Sequence, residues 1–228
     1  MRTLARLSFI FTAFYCCILQ AGTPKIAVDG KSSIDFGDFP ANIRQRGTFK
    51  IVNKGDALLK IINIRKTCGC SYVIMDVSEI KPRASSIITT EILPDSISGP
   101  FSKNFYVESN DPKQRFLQLN FTGRAIPLLT VYPPNFLYMG TLTAGKEYEY
   151  KFRIDTERDG VKLETGPSKT KFKTDIKLSQ NSTRQFTLIV KVFPQQQNKS
   201  LNIEFELKVL DPSGWKPLQI KLQGRTGN

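Results

Sequence analysis

The sequence predicts an all-β protein built as two tandem β-sandwiches. Three observations carry this reading. Apolar residues recur at every second position, turn residues punctuate the chain at short intervals, and the second half of the chain echoes the first. The 228 residues include 13 prolines and 15 glycines, and no long run beyond the first twenty residues has helical spacing.

The alternation is clearest where Tyr148, Tyr150, Phe152 and Ile154 face one side and charged residues the other. Ile203, Phe205, Leu207 and Val209 repeat it against Asn202, Glu204, Glu206 and Lys208, and Leu117, Leu119 and Phe121 do so more loosely. Period two marks a half-buried antiparallel strand. Between such runs lie Asn53-Lys54-Gly55-Asp56, Lys81-Pro82, Ser98-Gly99-Pro100, Asn110-Asp111-Pro112 and Asp211-Pro212-Ser213-Gly214, all turn chemistry. Each strand leaves one apolar face, so two sheets must close on each other to bury it.

The echo has a nearly constant offset. Leu117-Gln118-Leu119-Asn120-Phe121-Thr122-Gly123-Arg124 returns 101 residues later as Leu218-Gln219-Ile220-Lys221-Leu222-Gln223-Gly224-Arg225. Asp111-Pro112 returns as Asp211-Pro212, Phe36-Gly37-Asp38-Phe39 as Met139-Gly140-Thr141-Leu142, and Phe49-Lys50-Ile51 as Tyr150-Lys151-Phe152. Matches in register argue for two copies of a domain of about 100 residues, the size of an immunoglobulin-like sandwich. The expected division is residues 1–21 as a signal peptide, 22–127 as the first immunoglobulin-like domain, and 128–228 as a second, degenerate copy. Pro127 marks the junction, with little room for a flexible linker.

Residues 1–21 have the form of a secretory signal: Arg2 and Arg6, an apolar run over residues 7–19, then Leu19-Gln20-Ala21 before Gly22. The run is short for a membrane helix, so no integral span is expected after cleavage, an uncleaved anchor being the alternative. Lipidation at Cys16 or Cys17 is a further alternative, although Phe14 and Tyr15 stand where small residues usually precede a lipidated cysteine. The expected location is periplasmic or extracellular, where paired thiols can oxidise.

The absence of histidine excludes Ser-His-Asp and Cys-His catalysis, the HExxH zinc site and a histidine pH switch. The net charge of +13 is spread over both halves and interleaved with acids. It reads as a solvated surface with some affinity for anionic envelope polymers rather than a nucleic-acid stripe. The densest cluster, Lys169-Thr170-Lys171-Phe172-Lys173, alternates as the solvent face of a strand does. No carboxylate pair suggests acid–base work. No enzyme activity and no cofactor are expected.

The first half also carries ordered landmarks: Phe36-Gly37, Asn53-Lys54-Gly55, Cys68-Gly69-Cys70, Lys81-Pro82 and Ser109-Asn110-Asp111-Pro112. In this order they resemble a bacterial exported family known as domain of unknown function 1573, over about residues 32–126. The proline turn departs from it, Arg83-Ala84 standing where the family prefers glycine. The resemblance implies an immunoglobulin-type sandwich and export, and no established activity.

Cys68 and Cys70 are the one candidate chemical site. At positions i and i+2 on extended backbone their side chains share a side, and the glycine between them permits a bend. Three states fit: a tight, easily exchanged disulfide; thiolates holding a soft ion such as Cu(I) or Zn(II), with Met75 as a third soft ligand or a core residue; and packed, inert thiols. Arg65 and Lys66 would lower a nearby thiol pKa if the site is exposed. The leading functional expectation is a non-enzymatic envelope module that binds another envelope protein along a strand edge. A thiol-disulfide or metal-handling protein acting through Cys68 and Cys70 is the alternative, and a periplasmic pilus-type chaperone ranks last.

Overall fold

The computed structural model describes residues 22–67, 69 and 71–227. The expected signal peptide, Cys68 and Cys70 lie outside the described residues. The remainder is all β, with no helix among the described residues.

Nine strands precede Pro127: β1 (Ile26–Val28), β2 (Ser33–Pro40), β3 (Gln45–Asn53), β4 (Leu59–Lys66), β5 (Ser71–Met75), β6 (Glu79–Ile80), β7 (Ser85–Ile92), β8 (Gly99–Ser109) and β9 (Phe116–Ile126). They form two sheets, ordered β1-β3-β7-β5 and β2-β9-β8-β4-β6. Eight strands follow: β10 (Leu129–Tyr132), β11 (Phe136–Thr143), β12 (Tyr148–Thr156), β13 (Lys162–Thr165), β14 (Lys173–Ser182), β15 (Gln185–Phe193), β16 (Ser200–Asp211) and β17 (Leu218–Gly227). Their sheets are β10-β12-β15-β14 and β11-β17-β16-β13. Position by position the strand orders of the two sandwiches correspond, with β6 as the addition in the first. The stretches that match in sequence lie on corresponding strands.

Alternation sets the cores. Phe49, Phe105 and Phe121 are fully buried between the first two sheets, and Phe49 meets Phe105 edge-on with ring centroids 5.5 Å apart. Burying each such ring contributes roughly 2–3 kcal/mol. Phe152, Phe205, Leu188 and Leu222 fill the second core in the same way. Glycines fix one seam of each sandwich. β2 runs parallel to β9 with a bulge between Asp35 and Asp38, where Gly37 takes a φ of 63°. β11 runs parallel to β17 with its bulge at Gly140, at a φ of 74°. A β-carbon on Gly123 would stand 3.1 Å from the Gly37 carbonyl, and one on Gly224 only 2.8 Å from the Gly140 carbonyl. The parallel strands approach so closely because neither glycine has a side chain.

The remaining landmarks of the first half are backbone clamps. The Asn53 side chain is fully buried. Its Nδ2 donates to the carbonyls of Ala57 at 2.7 Å and Ile80 at 2.9 Å, and its Oδ1 accepts from the N–H of Gly55 at 2.9 Å and Lys25 at 3.3 Å. Gly55 is required beside it: a β-carbon there would collide with the Thr23 carbonyl and stand 2.6 Å from the Lys25 nitrogen. Asp111 is buried and accepts from the N–H groups of Ile26, Lys113 and Gln114. Burial would raise its pKa, but those donated bonds outweigh it and hold the carboxyl below the usual range. Asn110 bridges to β4, accepting from the Lys60 N–H at 2.8 Å and donating to the Leu58 carbonyl at 3.1 Å. These side chains tie β1, β4, β6 and the β8–β9 turn to one another.

Two buried glutamates brace the outer faces. Glu91 on β7 is held by Arg46 at 2.7 Å and Arg44 at 2.6 Å. Glu108 on β8 is held by Arg115 at 2.8 Å and Arg65 at 2.7 Å. Arginine hydrogen bonds, chiefly from Arg46 and from Arg115 respectively, lower both carboxyl pKa values, with burial opposing.

The sandwiches meet through Trp215. Sequence alone gives it the role of covering a sandwich end, and the core it packs against is that of the first sandwich. Asn42 Nδ2 donates to the Gly214 carbonyl at 3.3 Å, and Lys216 faces Asp95 at 3.8 Å. Only Pro127 and Leu128 separate β9 from β10, and Leu128 is buried.

Asn53→Ala strands two carbonyls and two N–H groups away from water, each costing about 1–3 kcal/mol when left unpaired. It is expected to lower stability by at least about 2 kcal/mol, and Gly55→Ala by a similar amount through overpacking. Exposed Lys54→Ala should stay within about 0.5 kcal/mol of wild type. Urea unfolding midpoints measure all three. Glu91 and Glu108 have folded pKa values below the unfolded value of about 4.3. Their stabilisation is therefore present above that pH and lost as pH falls through the lower folded values. The unfolding temperature should drop with acid over this window, and the drop should be shallower in Glu108→Gln, which starts less stable at pH 7.

Candidate functional site

In sequence the Cys-Gly-Cys stretch lies between β4, which pairs with β8 and β6 in one sheet, and β5, an edge of the other. The connection is pinned on both flanks. Thr67 donates to the Asn104 carbonyl from its N–H at 3.3 Å and from its hydroxyl at 2.9 Å. The Lys66 ammonium donates to the Ser71 carbonyl at 3.2 Å and lies 5.6 Å from the centre of the Tyr72 ring. A β-carbon at Gly69 would meet no described atom within 4 Å.

Both cations expected to act on the thiols are engaged elsewhere. Arg65 is spent on Glu108 and on the face of Phe116, 5.4 Å from its centre, and Lys66 on Ser71 and Tyr72. Met75 belongs to the core: it packs inward with Val73 at the far end of β5, four residues and about 13 Å from Ser71. Among the described residues no group of three His, Cys, Asp or Glu side chains could hold a metal ion, and no helix is long and apolar enough to cross a membrane.

The distinctive feature is β5 itself. Among the described residues it pairs only with β7. The Asp76 N–H donates to the Ile87 carbonyl at 3.1 Å, which sets the alternation of the antiparallel ladder. Ile74 and Tyr72 therefore direct their backbone groups toward β7. Val73 and Met75 direct theirs to the open side, while their side chains pack inward. The outward side chains, Tyr72 and Ile74, are 54% and 57% exposed, and Val77 just beyond is 55% exposed. On β4 a bulge between Ile61 and Asn63 turns Ile62 out, 59% exposed.

Edges of this kind invite pairing, and proteins usually blunt them with charges or proline. β5 reads Ser71-Tyr72-Val73-Ile74-Met75 and has neither. Its counterpart β14, also an edge, carries Lys173, Asp175 and Lys177, with Lys177 paired to Asp175 at 3.6 Å. The second sandwich guards the edge that the first leaves open. Sequence reading did not single out this edge. The available signal was the run from Tyr72 to Met75, apolar on both faces where other strands of the chain alternate with charge.

Residues 27–125 match the model of DUF1573, a protein family of unknown function. The match spans the first sandwich and stops before the second. No curated protein matches the chain. Among solved structures, the PapD-like domain 7 of human CEP192 is 14% identical, covering 56% of this chain and 98% of its own at a TM-score of 0.36. A protein of unknown function from Porphyromonas gingivalis W83 is 13% identical, covering 88% and 99% at 0.34. Titin domains I67–I69 are 10% identical, covering 90% and 66% at 0.30. Over residues 27–125 the first sandwich is similar to the DUF1573 family.

Proposed function

We propose that the chain is an exported, non-enzymatic interaction module of the bacterial envelope that holds an extended segment of another envelope protein along β5. The observation that carries this reading is the unguarded edge, with the backbone groups of Val73 and Met75 free and Tyr72 and Ile74 exposed beside them. A strand added there gains main-chain hydrogen bonds of about 0.5–1.5 kcal/mol net each. Its outward side chains lie against Tyr72 and Ile74, which supply selectivity. The absence of histidine and of a paired carboxylate leaves the edge without an obvious catalytic companion.

The thiol reading attaches to the same place, because Cys68 and Cys70 immediately precede β5 in sequence. Exchange of a partner cysteine with Cys68 or Cys70 is the chemistry this reading would need. A Cys68→Ser/Cys70→Ser variant with unchanged partner binding and stability removes that reading and leaves the strand-addition reading intact.

A photo-crosslinking residue placed at position 74 in the native host should form an adduct with one envelope protein, and the same group at exposed Lys151 should not. Tyr72→Lys, which guards the edge as Lys173 does in β14, should abolish the adduct while leaving the unfolding midpoint within about 0.5 kcal/mol of wild type. Equal adducts from both positions, or turnover of a substrate that depends on residues outside the cysteine pair, would contradict the proposal.

A further inference from the structure

The second sandwich has two ends. One docks on the first sandwich through Trp215. The other lies at the far end of β12, nine residues and about 30 Å away. There the starts of β14 and β16 and the ends of β15 and β17 enclose two adjoining hollows of about 410 and 450 Å³ that share Lys199 and Ser200. No acidic residue lines either hollow.

Among the described residues some cations of this sandwich are ion-paired and others, Lys146, Arg158, Lys162, Lys169 and Lys208, are not, but at this end four cations gather around hollows that no acidic residue lines. Lys151, Arg153, Lys191 and Lys221 each have a carboxylate partner, Glu149 at 3.2 Å, Asp155 at 3.1 Å, Glu147 at 2.7 Å and Glu204 at 3.4 Å respectively. At the far end, Lys171 and Lys199 have no ion-pair partner among the described residues. Lys173 covers the ring of Phe193, 5.3 Å from its centre, and Arg225 donates only to the Thr141 hydroxyl, at 3.0 Å. Strand pairing holds these four charges together, since β14 opens with Lys173 opposite Phe193, and Ser200 sits opposite Arg225. Like charges gathered without counter-charge repel one another, and a bound polyanion relieves that repulsion.

We propose that this end of the second sandwich binds an acidic polysaccharide. The lining combines sparse cations with neutral donors, Gln195, Gln196 and Ser200, which suits a sugar chain carrying hydroxyls and separated anionic groups. Single-stranded nucleic acid calls for a track of free aromatic faces, and one of the two rings here already carries Lys173. A membrane surface calls for protruding apolar side chains. The exposed large apolar residues of this sandwich, Tyr132, Phe136, Tyr138 and Leu210, line neither hollow.

The test is equilibrium binding of the full chain to polygalacturonate in about 0.15 M salt, where non-specific surface attraction is screened beyond about 8 Å. Double-stranded DNA and phosphatidylglycerol vesicles are measured alongside. Lys171→Ala/Lys173→Ala/Lys199→Ala should weaken polygalacturonate binding at least about tenfold. Lys50→Ala/Lys60→Ala/Lys177→Ala, with the same change of net charge but drawn from paired lysines, should weaken it less than about twofold. If the first triple fails to fold, Lys171→Ala/Lys199→Ala alone should still lose more than the control. Equal losses in both sets, no binding of polygalacturonate, or tighter binding of DNA or vesicles would overturn the proposal.

Discussion

The buried amide of Asn53 is the constraint on which the first sandwich rests. It has no access to water, so each of its four hydrogen bonds must be made within the chain, and each goes to backbone. One bond reaches Lys25 and, with Asp111 gripping the Ile26 N–H, fixes β1 against β3. Another reaches Ile80 and fixes β6 under β4. Gly55 completes the arrangement by letting residues 23–25 lie directly on the turn. One side of the sandwich is thereby closed by a strand whose position is over-determined. The other side of the same sheet ends at β5, which nothing covers among the described residues.

That asymmetry separates the two sandwiches. Their strand orders correspond, their parallel seams use the same pair of glycines, and their cores follow the same alternation. They differ in how they meet solvent. The first has an apolar, uncharged edge on β5 and buried glutamates clamped by arginines on its faces. The second has a charged edge on β14, and at its far end four cations without a carboxylate partner among the described residues, Lys171, Lys173, Lys199 and Arg225, surround hollows that no acidic residue lines. Trp215 and the two-residue connection at Pro127 and Leu128 join them without a flexible tether, so the open edge and the basic end are presented by one continuous body.

Much of this was legible in the sequence because it depends on local rules. Period two gave β12, β16 and β9, and Asn53-Lys54-Gly55 and Asn110-Asp111-Pro112 declared themselves as turns. Less visible was what the turns hold: the bonds from Asn53 to Ile80 and from Asp111 to Ile26 span 27 and 85 residues, and no local pattern encodes them. For Trp215 the sequence suggested cover of a sandwich end, but it does not say which core lies beneath a loop, and that core is the first one. The cysteine pair drew attention as the one cluster of reactive side chains. The cations beside it proved to be committed to Glu108, Ser71 and Tyr72, and Met75 to the core. The edge of β5 was hidden because exposure of a strand edge is a property of sheet order, not of the strand.

The central claim is that β5 is an edge left unpaired among the described residues, and amide hydrogen exchange of the full chain tests it most directly. Val73 and Met75 should exchange at least about a hundredfold faster than Ile88, which lies on β7 between β3 and β5. Exchange at Val73 and Met75 as slow as at Ile88, in protein shown to be monomeric, would mean that the edge is already satisfied, and the account would fail.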